Sequence, residues 1–188
     1  CVMLSHQSQA VMPTLVVAPI SLLANWEREI SKFAPSLKVK IHHGALRISN
    51  YKEFHSYDVI VTSYTTVVSD IHMLKMVEWD LVVLDEAQNI KNRNTKQTKA
   101  IKALERKQAI AMTGTPIENS LMNLWSIFDF LSPGLLGDEK DFESFSDSLG
   151  GDKMDNLKRV VTPFILRRLK TDKSIINDLP EKVENRSE

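Results

Sequence analysis

Asp85 and Glu86 stand side by side at the end of an apolar run in "DLVVLDEAQNIKN", Asp80 to Asn92. Adjacent carboxylates raise each other's proton affinity unless a positive charge lies nearby. The pair is therefore either solvated at a strand end or placed to hold a cation. Chemistry that uses both acids is specific. Mg²⁺ takes oxygen ligands and keeps several waters, so one carboxylate beside nucleotide phosphates is enough to hold it. The second carboxylate then orients or deprotonates an attacking water. Further along, "TGTPIEN" (Thr113 to Asn119) is a polar turn whose Thr113 and Thr115 hydroxyls are able to bond Gln88 and the acids. Taken alone, it reads equally well as an ordinary Gly/Pro turn.

Those residues need a scaffold that brings strand ends together. "TLVVA" (Thr14 to Ala18), "LKVKIHH" (Leu37 to His43), "DVIVTS" (Asp58 to Ser63), "DLVVLD" (Asp80 to Asp85) and "QAIAMT" (Gln108 to Thr113) read as strands. Helical stretches alternate with them. One has Leu22, Leu23, Trp26, Ile30 and Phe33 on one face and Ser21 as its N-cap; another runs to about Lys75, and a third spans Thr95 to Arg106. Such alternation predicts a parallel sheet with helices on both faces. Ligands of such sheets gather beyond the carboxyl ends of the strands, where Pro19, Thr62, Ser63, Asp85, Glu86 and Thr113 would converge. From Asn119 to about Asp178 only helical segments are expected, with an apolar stripe of Leu121, Leu124, Trp125, Phe128 and Leu131. The expected organisation is an α/β body over 1–118, a helical appendage over 119–178 and a polar tail over 179–188.

Bulk properties narrow the partners. The 188 residues carry 24 basic and 24 acidic side chains, so no global basic field announces nucleic acid, and any such partner needs local patches. The single cysteine, Cys1, excludes an internal disulfide and fits a reducing compartment. No apolar run is long enough to span a membrane. The first residue is not Met, so the chain is expected to be part of a larger protein. His42 and His43 have no Cys or carboxylate at metal spacing and are expected to be structural, and Trp26 and Trp125 are expected in the core. From Lys91 to Lys107 seven basic residues face one acid, Glu105, either as a solvated helix face or as phosphate contacts along a duplex.

Together the stretches "LVVAPISLLANWEREISKFAP", "HHG", "DVIVTSYTTV", "LVVLDEAQNIKN", "AMTGTPIENSLMNLWSIFDFLSPGLLG", "TPFILRRLKTD" and "DLPEK" resemble the Swi/Snf family of DNA-translocating ATPases in superfamily 2. They cover most of Thr14 to Lys182 in family order. The resemblance implies much of a first RecA-like lobe of the P-loop NTPase type, with a helical protrusion, in an enzyme that uses ATP and Mg²⁺ on double-stranded DNA, with DNA-bound proteins as further partners. By position, Asp85 would hold Mg²⁺ through water, and Glu86 would be the hydrolytic carboxylate. Gln88 would couple, standing where many relatives have histidine. Thr113, Gly114 and Thr115 would link nucleotide state to the DNA side. Pro19, Thr62 and Ser63 would touch strand phosphates, with Lys91 and Arg93 as further DNA contacts. Arg167 and Arg168 would lie near the junction with a second RecA-like lobe.

Two departures accompany these matches. The family's phosphate loop, of G-x-G-K-T pattern, is absent from the 188 residues, and "CVMLSHQSQ" resembles the helix that follows it. The second lobe with its arginine finger is absent too, so these residues by themselves are expected to be inactive. Two other readings stay open at this point: a strand-separating helicase or restriction-enzyme motor, and an interaction module that does not hydrolyse. The resemblance implies a nucleoid-associated cytoplasmic location in a prokaryote and a nuclear one in a eukaryote.

Overall fold

The computed structural model describes residues 12–114, 121–147 and 151–166. Five strands, β1 (Thr14–Ala18), β2 (Val39–His42), β3 (Val59–Ser63), β4 (Trp79–Leu84) and β5 (Arg106–Ala111), form one all-parallel sheet in the order β2-β3-β1-β4-β5. The helices are α1 (Leu23–Phe33), α2 (Tyr64–Leu74), α3 (Lys96–Lys102), α4 (Leu121–Leu131), α5 (Glu139–Asp147) and α6 (Gly151–Val161). The α/β expectation is met. β1, β3 and β4 carry the apolar runs "LVVA", "VIV" and "LVVL" because both faces of these strands are covered. Leu15, Val17, Ile60, Val82 and Leu84 face a core shared with α2, α3 and α4, while Val16, Ala18, Val61, Leu81 and Val83 face the core under α1.

The chain leaves β1 toward one edge of the sheet and later returns to pair β4 on the other side of β1. This reversal opens a crevice at the carboxyl ends of β1 and β4, where open α/β sheets bind ligands.

Several local expectations need correction. Ser21 does not cap α1: a 3₁₀ turn over Ile20–Leu22 follows Pro19, and α1 starts at Leu23 with no side-chain cap. Phe33 is 69 % exposed because the stripe of α1 ends one turn earlier at Ile30. The body does not stop at residue 118. The compact unit runs through Asp147, since Ile127 and Phe130 of α4 join the sheet's own core and Ser126 Oγ donates to Ile90 O at 2.7 Å. α4 is covered by the body on one side and by α5 on the other, so a single stripe understated its burial. The second unit, from Ser148, is described as α6 and a short 3₁₀ turn over Thr162–Phe164. The tail expected over 179–188 lies outside the described residues.

His42 is structural, as expected, and fully buried. Its Nδ1 accepts from Ile48 N at 3.0 Å, so the proton sits on Nε2, which donates to Asp70 Oδ2 at 2.9 Å. Asp70 occupies a kink in α2 (φ −108°, ψ 16°) and also pairs with Arg47 at 3.0 Å. Burial pushes the His42 imidazole below its ordinary value, outweighing the Asp70 carboxylate, which raises it; Arg47 and His43 push it further down. A depressed folded pKa means that the unfolded chain takes up the proton first as pH falls. Stability should therefore be level above about pH 6.5 and decline below it by at most ~1.4 kcal/mol per pH unit from this group. Urea unfolding at a series of pH values measures this, and His42→Gln should flatten the acid limb.

Candidate active site

β4 ends at Leu84, and the next residue, Asp85, still donates its N–H to Val17 O of β1 at 2.8 Å. The half-buried carboxylate is therefore held at the crevice rather than on a free loop. Oδ1 accepts from Glu86 N at 2.9 Å, Oδ2 accepts from Trp26 Nε1 at 2.9 Å, and the carbonyl accepts from the Tyr64 hydroxyl at 2.7 Å. Burial raises the Tyr64 phenol well above its ordinary value, and the charges of Asp85 and Glu86 add to that shift. Tyr64 consequently remains a protonated donor.

Glu86 has φ 51° and ψ 54°, the sole left-handed non-glycine among the described residues. That conformation costs an L-residue about 1–2 kcal/mol. It reverses the chain so that Ala87 N reaches Met112 O beyond β5 at 2.8 Å. Gln88 Nε2 donates to Glu86 Oε2 at 2.6 Å, and Thr113 Oγ1 donates to Gln88 Oε1 at 2.7 Å. The amide can be oriented in only one way, since an ionised carboxylate only accepts. Glu86, Gln88 and Thr113 thus form one directed chain from the acid to the end of β5.

Among the described residues neither Asp85 nor Glu86 forms an ion pair. Two half-buried charges without a cation, each oxygen of Asp85 retaining a lone pair, suit a hydrated divalent ion. The described residues contain no cluster of three or more His, Cys, Asp or Glu side chains that would cage a metal. This donor set fits Mg²⁺, which shares its coordination with phosphates and water.

Other sites read from the sequence fare differently. Pro19 is half-buried beside β1, and its carbonyl accepts from Leu22 N at 2.9 Å. Thr62 and Ser63 are buried, and both hydroxyls are engaged within the protein. Thr62 Oγ1 donates to His42 O at 2.7 Å, and Ser63 Oγ caps α2 by accepting from Thr66 N at 3.2 Å. Both hydroxyls thus have partners within the protein; the exposed residue at this corner is Thr65, whose hydroxyl meets Ser63 Oγ at 3.0 Å. Lys91 is exposed, whereas Arg93 pairs with Glu139 at 2.6 Å and approaches Glu143 at 3.8 Å. Lys102 pairs with Asp129 at 2.7 Å, and the Arg106 guanidinium donates to Leu104 O and Phe130 O. Gly114 is exposed beside Thr113; Thr115, Arg167 and Arg168 lie outside the described residues.

Two residues of the site were not singled out by the sequence. Trp26, expected in the core, is half-buried against it, and Tyr64 lies within the family-like stretch "DVIVTSYTTV" but was given no role there. Their partner lies 59 and 21 residues away respectively, and no local spacing signals such bonds.

The model of the SNF2-related domain family matches residues 2–187. The chain belongs to this family. A solved structure titled Sulfolobus solfataricus SWI2/SNF2 ATPase core in complex with dsDNA superposes with a TM-score of 0.80 and 47 % identity, covering 94 % of this chain and 38 % of that one. The TATA-binding protein-associated factor MOT1 of Saccharomyces cerevisiae is 38 % identical over 197 residues, covering 95 % of this chain and 10 % of its own. An uncharacterized ATP-dependent helicase of Mycoplasma genitalium, MG018, is 38 % identical over 182 residues, covering 95 % and 18 %. This SNF2-related chain therefore spans a fifth or less of the curated relatives it matches. The RecA-like architecture expected from the sequence agrees with the SWI2/SNF2 match.

Proposed function

We propose that this chain forms part of the nucleotide-hydrolysing and DNA-contacting half of an ATP-driven double-stranded DNA translocase, which moves or displaces proteins bound to its duplex. The observation that carries this reading is the Asp85–Glu86 step at the β1/β4 crevice, without an ion pair among the described residues and wired through Gln88 to Thr113. Bound Mg-ATP would supply the phosphoanhydride bond and the charge that polarises it. Asp85 would hold the ion through water, and Glu86 would take the proton from the attacking water. Gln88 would keep Glu86 oriented and report its state to Thr113. A second RecA-like lobe of the whole protein would complete the pocket.

Duplex contact would come from segments beyond the same strand ends: the turn after Pro19, the start of α2 at Thr65, and the exposed amines of Lys91 and Lys96. Such contacts are sequence-independent and fall off steeply with salt. In a polypeptide carrying this chain with the rest of the ATPase core, duplex DNA should stimulate ATP hydrolysis. No stimulation, or stimulation by single strands only, would overturn the reading. Reversing charge at Lys91 and Lys96 together should flatten the log-affinity against log-salt slope by about 2. An unchanged slope would leave both lysines as a solvated face. Arg93→Glu should act instead on stability, because it sets a third acid beside Glu139 and Glu143.

A further inference from the structure

Two aromatic donors converge on Asp85, one from each helix that follows an expected DNA-contacting segment. α1 follows the Pro19 turn and contributes Trp26; α2 starts after Ser63 and contributes Tyr64. The Tyr64 hydroxyl satisfies the Asp85 carbonyl at 2.7 Å, which fixes the backbone. The Trp26 indole fixes the carboxylate at 2.9 Å. Glu86 N binds the other oxygen at 2.9 Å, but it belongs to the adjacent peptide and cannot alone choose the plane of the group. Trp26 is the one side-chain donor to that carboxylate among the described residues. The rest of the indole packs against the apolar cluster beneath α1, so the donor itself is held rigidly.

We infer that Trp26 is a positioning residue for the magnesium carboxylate: its indole N–H sets the plane of Asp85 and ties it to the helix that follows the Pro19 turn. A carboxylate already aimed at the ion loses no rotamer freedom when the ion arrives, so the bond acts on the metal-dependent part of nucleotide binding. The inference rests on Asp85 being the Mg²⁺ carboxylate.

Two substitutions separate the bond from the packing. Trp26→Phe keeps an apolar ring and removes the N–H. Trp26→His removes the six-membered ring, yet its Nε2 occupies the same place in the five-membered ring as the indole Nε1. The readout is the ratio of affinities for a fluorescent ATP analogue with Mg²⁺ and with chelator, in a polypeptide carrying this chain and the rest of the ATPase core. Trp26→Phe should lower the ratio about fivefold while metal-free binding stays within about twofold. Trp26→His should keep the ratio within about twofold of wild type at pH 8, even with a lower melting temperature. In an Asp85→Ala background Trp26→Phe should change the ratio no further.

A purely structural role predicts the reverse order, with histidine worse than phenylalanine, and that order would overturn the inference. So would a full Trp26→Phe effect without the Asp85 carboxylate. If the wild type itself shows no Mg²⁺ enhancement, the assignment of Asp85 fails and the role of Trp26 falls with it. An enhancement that Trp26→Phe leaves intact removes Trp26 alone.

Discussion

Glu86→Gln should slow DNA-stimulated ATP hydrolysis by about a hundredfold to a thousandfold in a polypeptide that carries the whole ATPase core. The range is that of losing a positioned general base. The amide is isosteric, leaves the left-handed backbone at this position as it was, and keeps an oxygen to accept from Gln88 Nε2. Only the charge that attracts a proton from water is removed. Nucleotide affinity should therefore change by less than about twofold, the pattern of an interaction made chiefly in the transition state. Asp85→Ala should behave in the opposite sense, weakening Mg²⁺-dependent binding while metal-free binding is preserved. Phosphate release and equilibrium binding measure the two effects separately. Near-normal turnover by Glu86→Gln would mean that another group activates the water.

Trp79→Ala should cost the fold about 3–5 kcal/mol, as loss of a large buried aromatic does. Trp79 is fully buried at the start of β4. Its ring meets Phe54 edge-on, with centroids 5.6 Å apart at 66°, and Phe54 in turn meets the His42 imidazole at 5.1 Å. Its Nε1 donates to Leu74 O at the end of α2 at 3.0 Å, so truncation also leaves that carbonyl with only its 3.3 Å bond from Val77 N. Against a total stability of about 5–15 kcal/mol, this is a large share. Phe33→Ala, at an exposed aromatic of α1, should stay within about 0.5 kcal/mol. Urea denaturation followed by circular dichroism compares them, and a Trp79→Ala loss under about 1 kcal/mol would contradict this account of the core.

Both predictions draw on features that differ in how far the sequence announced them. The unbroken runs "LVVA" and "LVVL" are local signals, because a strand covered on both faces has apolar residues at every position. They placed β1 and β4 and, with them, the two acids at a strand end. Strand boundaries moved by a residue or two where the last backbone bond depends on a neighbour, and the helix expected to reach Arg106 ends at Lys102. β5 begins at Arg106 rather than Gln108, since its first partner is Trp79. The Thr113–Gln88 bond was legible from hydroxyl and amide chemistry once both segments were assigned to strand ends.

The sequence by itself determined the alternation of strands and helices, the acids at the end of a buried strand, and the family resemblance carried by several long motifs. Tertiary structure alone decided the strand order, and with it which side chains meet. Pairing β4 with β1 brings Asp85 under α1 and hands its oxygen to Trp26, for which periodicity indicated only a place in the core. Pairing β2 with β3 buries Thr62 and engages its hydroxyl with His42 O. The approach of α5 neutralises Arg93 with Glu139, in a segment whose local charge count promised free cations. Periodicity reports that a face is covered but carries no information about what covers it. Polar side chains take whichever partner the long-range packing supplies, because leaving them buried and unpaired costs more than any local preference recovers.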